Sequence, residues 1–600
     1  MAYGDLNEGV GYAILIVVLL FFFLIALTAA GYIPLCGCSP KSRFGKFVIS
    51  SAAAVPEKSA AGEVAEGGAV TTVASEVAGA DFYLSARNSA GPWTIAMSYF
   101  ASGMGAWVVY GSTELGATKG VGWLGVIGYS AASGFPALIV AAIGPRVRRI
   151  SGEKAFSTAD FCYTRYGRTM QFITSGISIF YMWIYLVSEL TSIGNIYTLV
   201  ASNGGVSYAV IVAVIIVVVT VTYTSIAGLP ASIVTDKFQA IMMGCLVVLI
   251  TIALTAYKEN HVTKEEYAYA SQWTAEGFYA LVTLFVAIAC AEMFNQGTWQ
   301  RVWAAESVSS MRKGFAMGSV MVFFLMFFFG LMAVIAYAND AAAYDSFEKL
   351  AYLSFFDLLK PLPVVWHVFV LVLVTSLAAS SIDTLQNALA SVFSKDIVTS
   401  GAVRENNMGK WIARLIIVVL NIPAIVVAAK QFSVLSLFLV ADLVCATAVL
   451  PVFLGLITEP FLFGMIPPPT EVGAVLGTVC GFATVLVYGA VRQALGIWDG
   501  KVYNWMGEVV AEGTWSYFWL PTGGICALCG TAAMWTFIAT VLSGGFFTLL
   551  FSFLHVAVVG EEKARRPIMW SCFGDGGGGF MRDESKKIDP PEDLGKEIEA

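Results

Sequence analysis

Long apolar runs dominate this chain, and polar residues gather between them. Runs such as "YAILIVVLLFFFLIALTAAGY", "YAVIVAVIIVVVTVTY" and "VMVFFLMFFFGLMAVIAY" match or approach the roughly 20 residues that a helix needs to cross about 30 Å of hydrocarbon. The pattern predicts thirteen spans, near 11–34, 92–118, 122–145, 171–200, 207–228, 234–257, 277–298, 314–337, 364–394, 410–430, 433–457, 472–492 and 522–555. The expected fold class is therefore all-α, a polytopic membrane protein.

Polar positions inside three spans break the pattern. In the second, "SYFASGMGAWVVYGSTELG", Gly103 and Gly105 interrupt an otherwise regular run. Small residues can let two helices pack closely. They can also mark an unwound centre whose freed carbonyls hold a cation. The seventh span ends irregularly in "ACAEMFNQGTWQR", with Glu292, Asn295, Gln296 and Gly297. Each of these spans opens a block of five helices, and interrupted segments at matching places in two halves point to a transporter site.

The ninth span carries a polar stripe. Ser376, Ser380, Asp383, Asn387 and Ser391 recur every three or four residues, which puts them on one helix face. An aspartate at a helix centre costs roughly 2.5–3.5 kcal/mol, so a stripe around Asp383 favours an ion or solute path over simple helix–helix glue. Glu114, Glu189 and Asp442 are further carboxylates in apolar surroundings. Glu189 shares a face with Ser192, while a structural role is favoured for Asp442.

Composition removes other classes. The chain is 58% hydrophobic and 12% charged, against about a quarter charged in soluble domains. The net charge of −7 resides mostly in loops and tails, without a basic patch for nucleic acid. Ten cysteines form no disulfide pattern; Cys36 and Cys38 are candidates for acylation. No ligand-spaced His/Cys/Asp set, nucleophile elbow, Walker loop or dinucleotide fingerprint is present, so neither an enzyme nor an organic cofactor is expected.

The first apolar run is preceded by Asp5 and Glu8 and followed by Lys41, Arg43 and Lys46, which fits a retained span better than a signal peptide. With the N-terminus outside, Arg146, Arg148, Arg149, Arg165, Arg168, Arg312, Lys313, Arg404 and Lys410 fall on the cytoplasmic side, as the positive-inside rule requires. The expected organisation is an extra N-terminal span (1–35), a cytoplasmic low-complexity loop (36–91), a first repeat (92–257), a second repeat (277–457), two peripheral spans (472–555) and a largely disordered cytoplasmic tail (556–600). Residues 51–80 and 573–600 are low-complexity. The external "NDAAAYDSFEKLAYLSFFDLLKPLP" reads as a short amphipathic helix, a lid over an outer vestibule.

Several stretches together resemble the solute:sodium symporter family. "YTSIAGLPASIVTDKFQ" is similar to its Gly-Gly…Thr-Asp…Gln signature, with Ala227 in place of the first glycine. "NQGTWQRVWAAES" resembles its Gln-Arg…Ala-Ala element, and "SSIDTLQNALASVFSKDI" its eighth core helix. "EGVGYAILIVVLLFFFL", "FYLSARNSAGPW" and "FSTADFCYTRYG" are most similar to the branch with urea and polyamine transporters.

The resemblance implies a five-plus-five inverted repeat of the leucine-transporter type, built from spans two to eleven. It also implies a sodium site from the carbonyls of Ala101, Met104 and Leu377 with the hydroxyls of Ser380 and Ser381. A second cation or a proton would lie between Asp236 and Asp383, since two close carboxylates do not both stay ionised without one. Gly103, Trp107, Glu189, Glu292, Asn295 and Gln296 would line the solute pocket. The implied function is import of a small polar, nitrogenous solute such as urea or a polyamine, coupled to Na+ or H+, in the plasma membrane. The expected partners are the small-molecule solute and the lipid bilayer, without nucleic acid, and oligomeric state stays open. A solute sensor on the same fold, or a symporter for a sugar, an amino acid or choline, is the alternative. The short polar tail argues against a sensor.

Overall fold

Glycine and proline decide where these apolar helices bend or stop. A computed structural model describes residues 6–29, 85–152, 155–201, 205–257, 261–399, 408–461, 464–503, 509–522 and 530–564. Cys36, Cys38 and the stretches 51–80 and 573–600 lie outside them, as do most of the 36–91 loop and the 556–600 tail.

The helices are α1 (Glu8–Ala29), α2 (Pro92–Gly103), α3 (Trp107–Gly116), α4 (Gly122–Ser151), α5 (Thr158–Arg165), α6 (Arg168–Val200), α7 (Val206–Ala256), α8 (Lys264–Ala270) and α9 (Ala275–Glu292). They continue with α10 (Gln296–Ala304), α11 (Val308–Asn339), α12 (Ala341–Asp345), α13 (Ser354–Leu359), α14 (Val364–Thr399), α15 (Met408–Ala428), α16 (Val434–Phe453), α17 (Glu471–Ala494) and α18 (Thr531–Val559). A small hairpin of β1 (Lys501–Tyr503) and β2 (Val509–Glu512) lies between the last two.

Among the described residues, eleven helices are long and apolar enough to cross a membrane. One of the thirteen expected spans differs for a physical reason. The second expected span is broken into α2 and α3, each too short to cross alone. α15, Met408–Ala428, has the 21-residue length of the expected span 410–430.

Expected spans 207–228 and 234–257 are both present, as the two arms of α7 on either side of a kink. Gly228 takes φ 65° there, a backbone that favours glycine, and Pro230 removes a helical N–H. The last helix begins at Thr531, later than expected, because residues 514–522 form a 3-10 turn. The proposed lid is three short helical pieces, α12, a 3-10 turn at Ala351–Leu353 and α13. It lies over the end of α3, where Tyr110 meets Tyr352 and Phe356 at 5.7 and 6.2 Å.

Charged residues tie loops at opposite ends of the bundle. Arg148 donates to the carbonyls of Val302 and Ala305, and Arg165 to those of Gly455, Ile457 and Pro469. At the other end Lys119 pairs with Asp345 at 2.9 Å and Lys349 with Asp340 at 2.8 Å. Between these ends, α2 and α3 pack among α4, α6, α7, α11, α14 and α16. This arrangement puts the break between them deep in the molecule.

Candidate functional site

The helix stops at Gly103 and restarts at Trp107, so carbonyls at the end of α2 and N–H groups at the start of α3 lose their helical partners. Side chains from distant spans take them up. Ser381 Oγ donates to the Ser102 carbonyl at 3.1 Å, and Tyr185 OH to the Gly103 carbonyl at 2.6 Å. The Ala106 N–H donates to Glu189 Oε2 at 2.8 Å. Trp107 Nε1 in turn donates to Tyr185 OH at 2.9 Å. Ala101, Met104, Leu377, Ser380 and Ser381 are all buried around this break, and Ser381 is the direct link from α14 to it.

A cavity lies beside the break. Its walls include the rings of Tyr99, Trp107, Tyr129, Tyr181, Tyr185 and Phe438, with Gly103 and Met104 at the break itself. The Trp107 and Tyr185 rings both pack on Phe438, with centroids 5.1 and 5.0 Å away. Two carboxylates, Glu292 and Asp442, face the same space, and no Lys, Arg or His is among the lining residues. Tyr181 OH donates to Glu292 Oε1 at 2.8 Å, and Asn295 Nδ2 to Glu292 Oε2 at 3.1 Å. The cavity holds about 40 Å³, room for water but not for a polyatomic solute.

The break in the seventh span, between α9 and α10, is closed largely by its own residues. Asn295 Oδ1 accepts from the Gly297 N–H at 3.1 Å, and Trp299 Nε1 donates to the Met293 carbonyl at 2.8 Å. Gln296 is turned away from the cavity, bonded to Thr158 and Ser178. Asn295 acts through Glu292 rather than as part of the wall.

Asp236 differs from expectation. Arg301 Nη2, at the far side of α10, pairs with its Oδ2 at 2.9 Å, with both side chains fully buried. Ser98 and Ser380 also donate to this carboxylate, each at 2.5 Å. Asp383 is held separately by Tyr223 OH at 2.6 Å and Ser232 Oγ at 2.7 Å. The sequence suggested a shared sodium or proton between the two acids; Arg301 supplies a positive charge at Asp236, and Asp383 lies close enough to feel both.

With this geometry in place, the family follows from a match of residues 82–481 to the Sodium:solute symporter family. The chain belongs to the sodium:solute symporter family. This symporter is 26% identical over 463 residues to the spermidine transporter DUR31 of Candida albicans, covering 75% of this chain and 84% of the relative. A solved Na+-coupled sialic acid symporter in a substrate-bound outward-open state superposes with a TM-score of 0.60 at 15% identity, covering 90% of this chain and 98% of that one. The likeness shows the fold, a five-plus-five inverted repeat of the leucine-transporter type. Family and relatives are transporters, not enzymes.

Sequence reasoning named Gly103, Trp107 and Glu292, which line the symporter's cavity, and Glu189, Asn295 and Gln296, which do not. It did not single out Tyr181, Tyr185 or Arg301, and it favoured a structural role for Asp442, which lines the cavity. The spacing Tyr181, Tyr185, Glu189 places two rings and an acid on one face of α6, a signal that was available. Asp442 could have been promoted by its rarity in an apolar span.

Proposed function

We propose that this symporter imports a polyamine with sodium as the coupling ion, across a plasma membrane with the arginine-rich end cytoplasmic. One observation carries the solute class: two carboxylates and six aromatic rings share a cavity whose lining includes no basic residue. Ammonium groups are drawn to aromatic faces, by roughly 2 kcal/mol or more when desolvated, and Glu292 and Asp442 supply the counter-charge. An anionic solute would meet two like charges there. The similarity to a spermidine transporter supports the same reading.

The break at 103–106, with Ser380 and Ser381, is the proposed sodium-binding region. In the cycle, sodium favours an outward-open state, the solute follows, and the two repeats rock to release both. The cavity is too small for solute as it stands, so the Trp107, Tyr185 and Phe438 rings must part for it to enter.

The driving force sets how this is tested. One charge crossing 100 mV releases about 2.3 kcal/mol, enough to concentrate a neutral solute some forty- to fifty-fold. A polyamine with about three charges gains roughly 7 kcal/mol from the same potential with no sodium at all. Uptake of labelled spermidine and urea is therefore measured in vesicles with the potential clamped at zero. Spermidine uptake is expected to require an inward sodium gradient, and Asp442→Asn to weaken it about tenfold or more. Urea uptake in preference to spermidine, or uptake indifferent to sodium, would reject the proposal.

A further inference from the structure

The geometry points to Glu189 as a charged ligand for a monovalent cation seated in the break of the second span. Its side chain is completely buried. Oε2 accepts the Ala106 N–H, but Oε1 accepts no hydrogen bond. No lysine or arginine pairs with it among the described residues. An ionised carboxylate left like this loses several kcal/mol of solvation, which the Ser381 hydroxyl and Trp107 N–H beside it offset only in part.

The surroundings are built to hold the carboxylate in place. A Cβ on Gly105 would overlap its oxygens, so the glycine's missing side chain is the space that the acid fills. The positive end of α3 faces it, which offsets part of the charge through Oε2. The Ser381 hydroxyl lies beside the same carboxylate and gives its proton to the Ser102 carbonyl. Carboxylate, hydroxyl and carbonyl oxygens thus converge, with the serine hydroxyl placed between the Ser102 carbonyl and the acid. Such a hard-oxygen set suits a small bare cation.

The occupant is a bare cation, not the solute's ammonium. Glu189 does not line the cavity that holds Glu292 and Asp442, whereas Trp107 and Tyr185 do and bond each other and the Gly103 carbonyl. They form the wall between the two sites. A cation that anchors Glu189, Ser381 and the break would fix Trp107 and Tyr185, and thereby the solute cavity. This gives sodium a route to order the solute site. Asp236, equally buried, needs no such ion because Arg301 already supplies one.

This inference rests on the symporter reading but is tested without transport. The purified full-length protein in detergent is titrated with NaCl against N-methyl-D-glucamine chloride at constant ionic strength, and its thermal unfolding is followed. Sodium is expected to raise the unfolding temperature of the wild type. Glu189→Gln keeps an acceptor for the Ala106 N–H and loses only the charge. It is expected to raise the sodium half-saturation about tenfold or more, while the unfolding shift produced by spermidine alone persists.

A half-saturation within about twofold of the wild type, or a wild type that does not respond to sodium, overturns the assignment. If Glu189→Gln does not fold, Glu189→Asp is read in its place: weakened sodium binding supports the site, and unchanged binding rejects it. Failure of spermidine uptake with a sodium response lost in Glu189→Gln would sink the solute class alone.

Discussion

The two broken spans solve the same problem in opposite ways. Where the seventh span breaks, the freed backbone is met by its own residues, since Asn295 caps α10 and Trp299 bonds back to Met293, while Gln296 and Arg301 reach out to Thr158, Ser178 and Asp236. Where the second span breaks, almost every freed group is met by a residue from elsewhere, Glu189 and Tyr185 on α6 and Ser381 on α14. A break held by distant helices changes whenever those helices shift, and it ends in a bare carboxylate oxygen. The second-span break is therefore where the proposed ion would act.

The strongest way to attack this contrast is to remove the tethered cation. Arg301→Met would leave Asp236 buried and unpaired, and breaking such a pair costs about 3–5 kcal/mol. Calorimetry or chemical unfolding should show that loss, and adding Asp236→Asn should restore much of it. A single variant as stable as the wild type would mean that Asp236 is neutralised by something other than Arg301, and the distinction from Glu189 would fall. Next in size is Gly105→Ala. The added methyl collides with the Glu189 carboxylate, at about 1–3 kcal/mol for overpacking. The sodium-dependent unfolding shift should vanish with it. Glu189→Asp in the same chain, shorter by one methylene, should recover part of the stability.

How much of this could be read beforehand depends on reach. The breaks were legible because Gly103/Gly105 and Glu292–Gly297 interrupt periodic apolar runs, and periodicity is local. The stripe on the ninth span was legible for the same reason, and Ser380, Ser381 and Asp383 are all buried as a stripe within a bundle must be. Partners across the bundle were not legible. Nothing in "NQGTWQR" says that a long guanidinium will bend back to Asp236, 65 residues away. Nor does "FLVADLV" show that Asp442 will face Glu292 across a cavity. The kink in α7 lay between the two: the sequence suggested two separate spans, and the structure keeps two, Val206–Ile226 and Gly228–Ala256, but joins them at Gly228 without a loop.

The two smallest effects sharpen the comparison most finely. Asn295→Ala removes the cap of α10 and should cost about 1 kcal/mol, with the sodium half-saturation unchanged because the lesion stays within the self-closed break. Gly103→Ala probes the other side. Gly103 and Gly105 look equivalent in the sequence, but a Cβ at Gly103 meets no atom within 4 Å. Stability should stay within about 0.5 kcal/mol of the wild type, and the sodium response should be intact. The same methyl borders the solute cavity, so it should raise the KM for spermidine while leaving sodium binding alone. Were Gly103→Ala to abolish the sodium response as Gly105→Ala does, the break would be sensitive to any added bulk. The specific fit between Gly105 and the Glu189 carboxylate would then explain nothing.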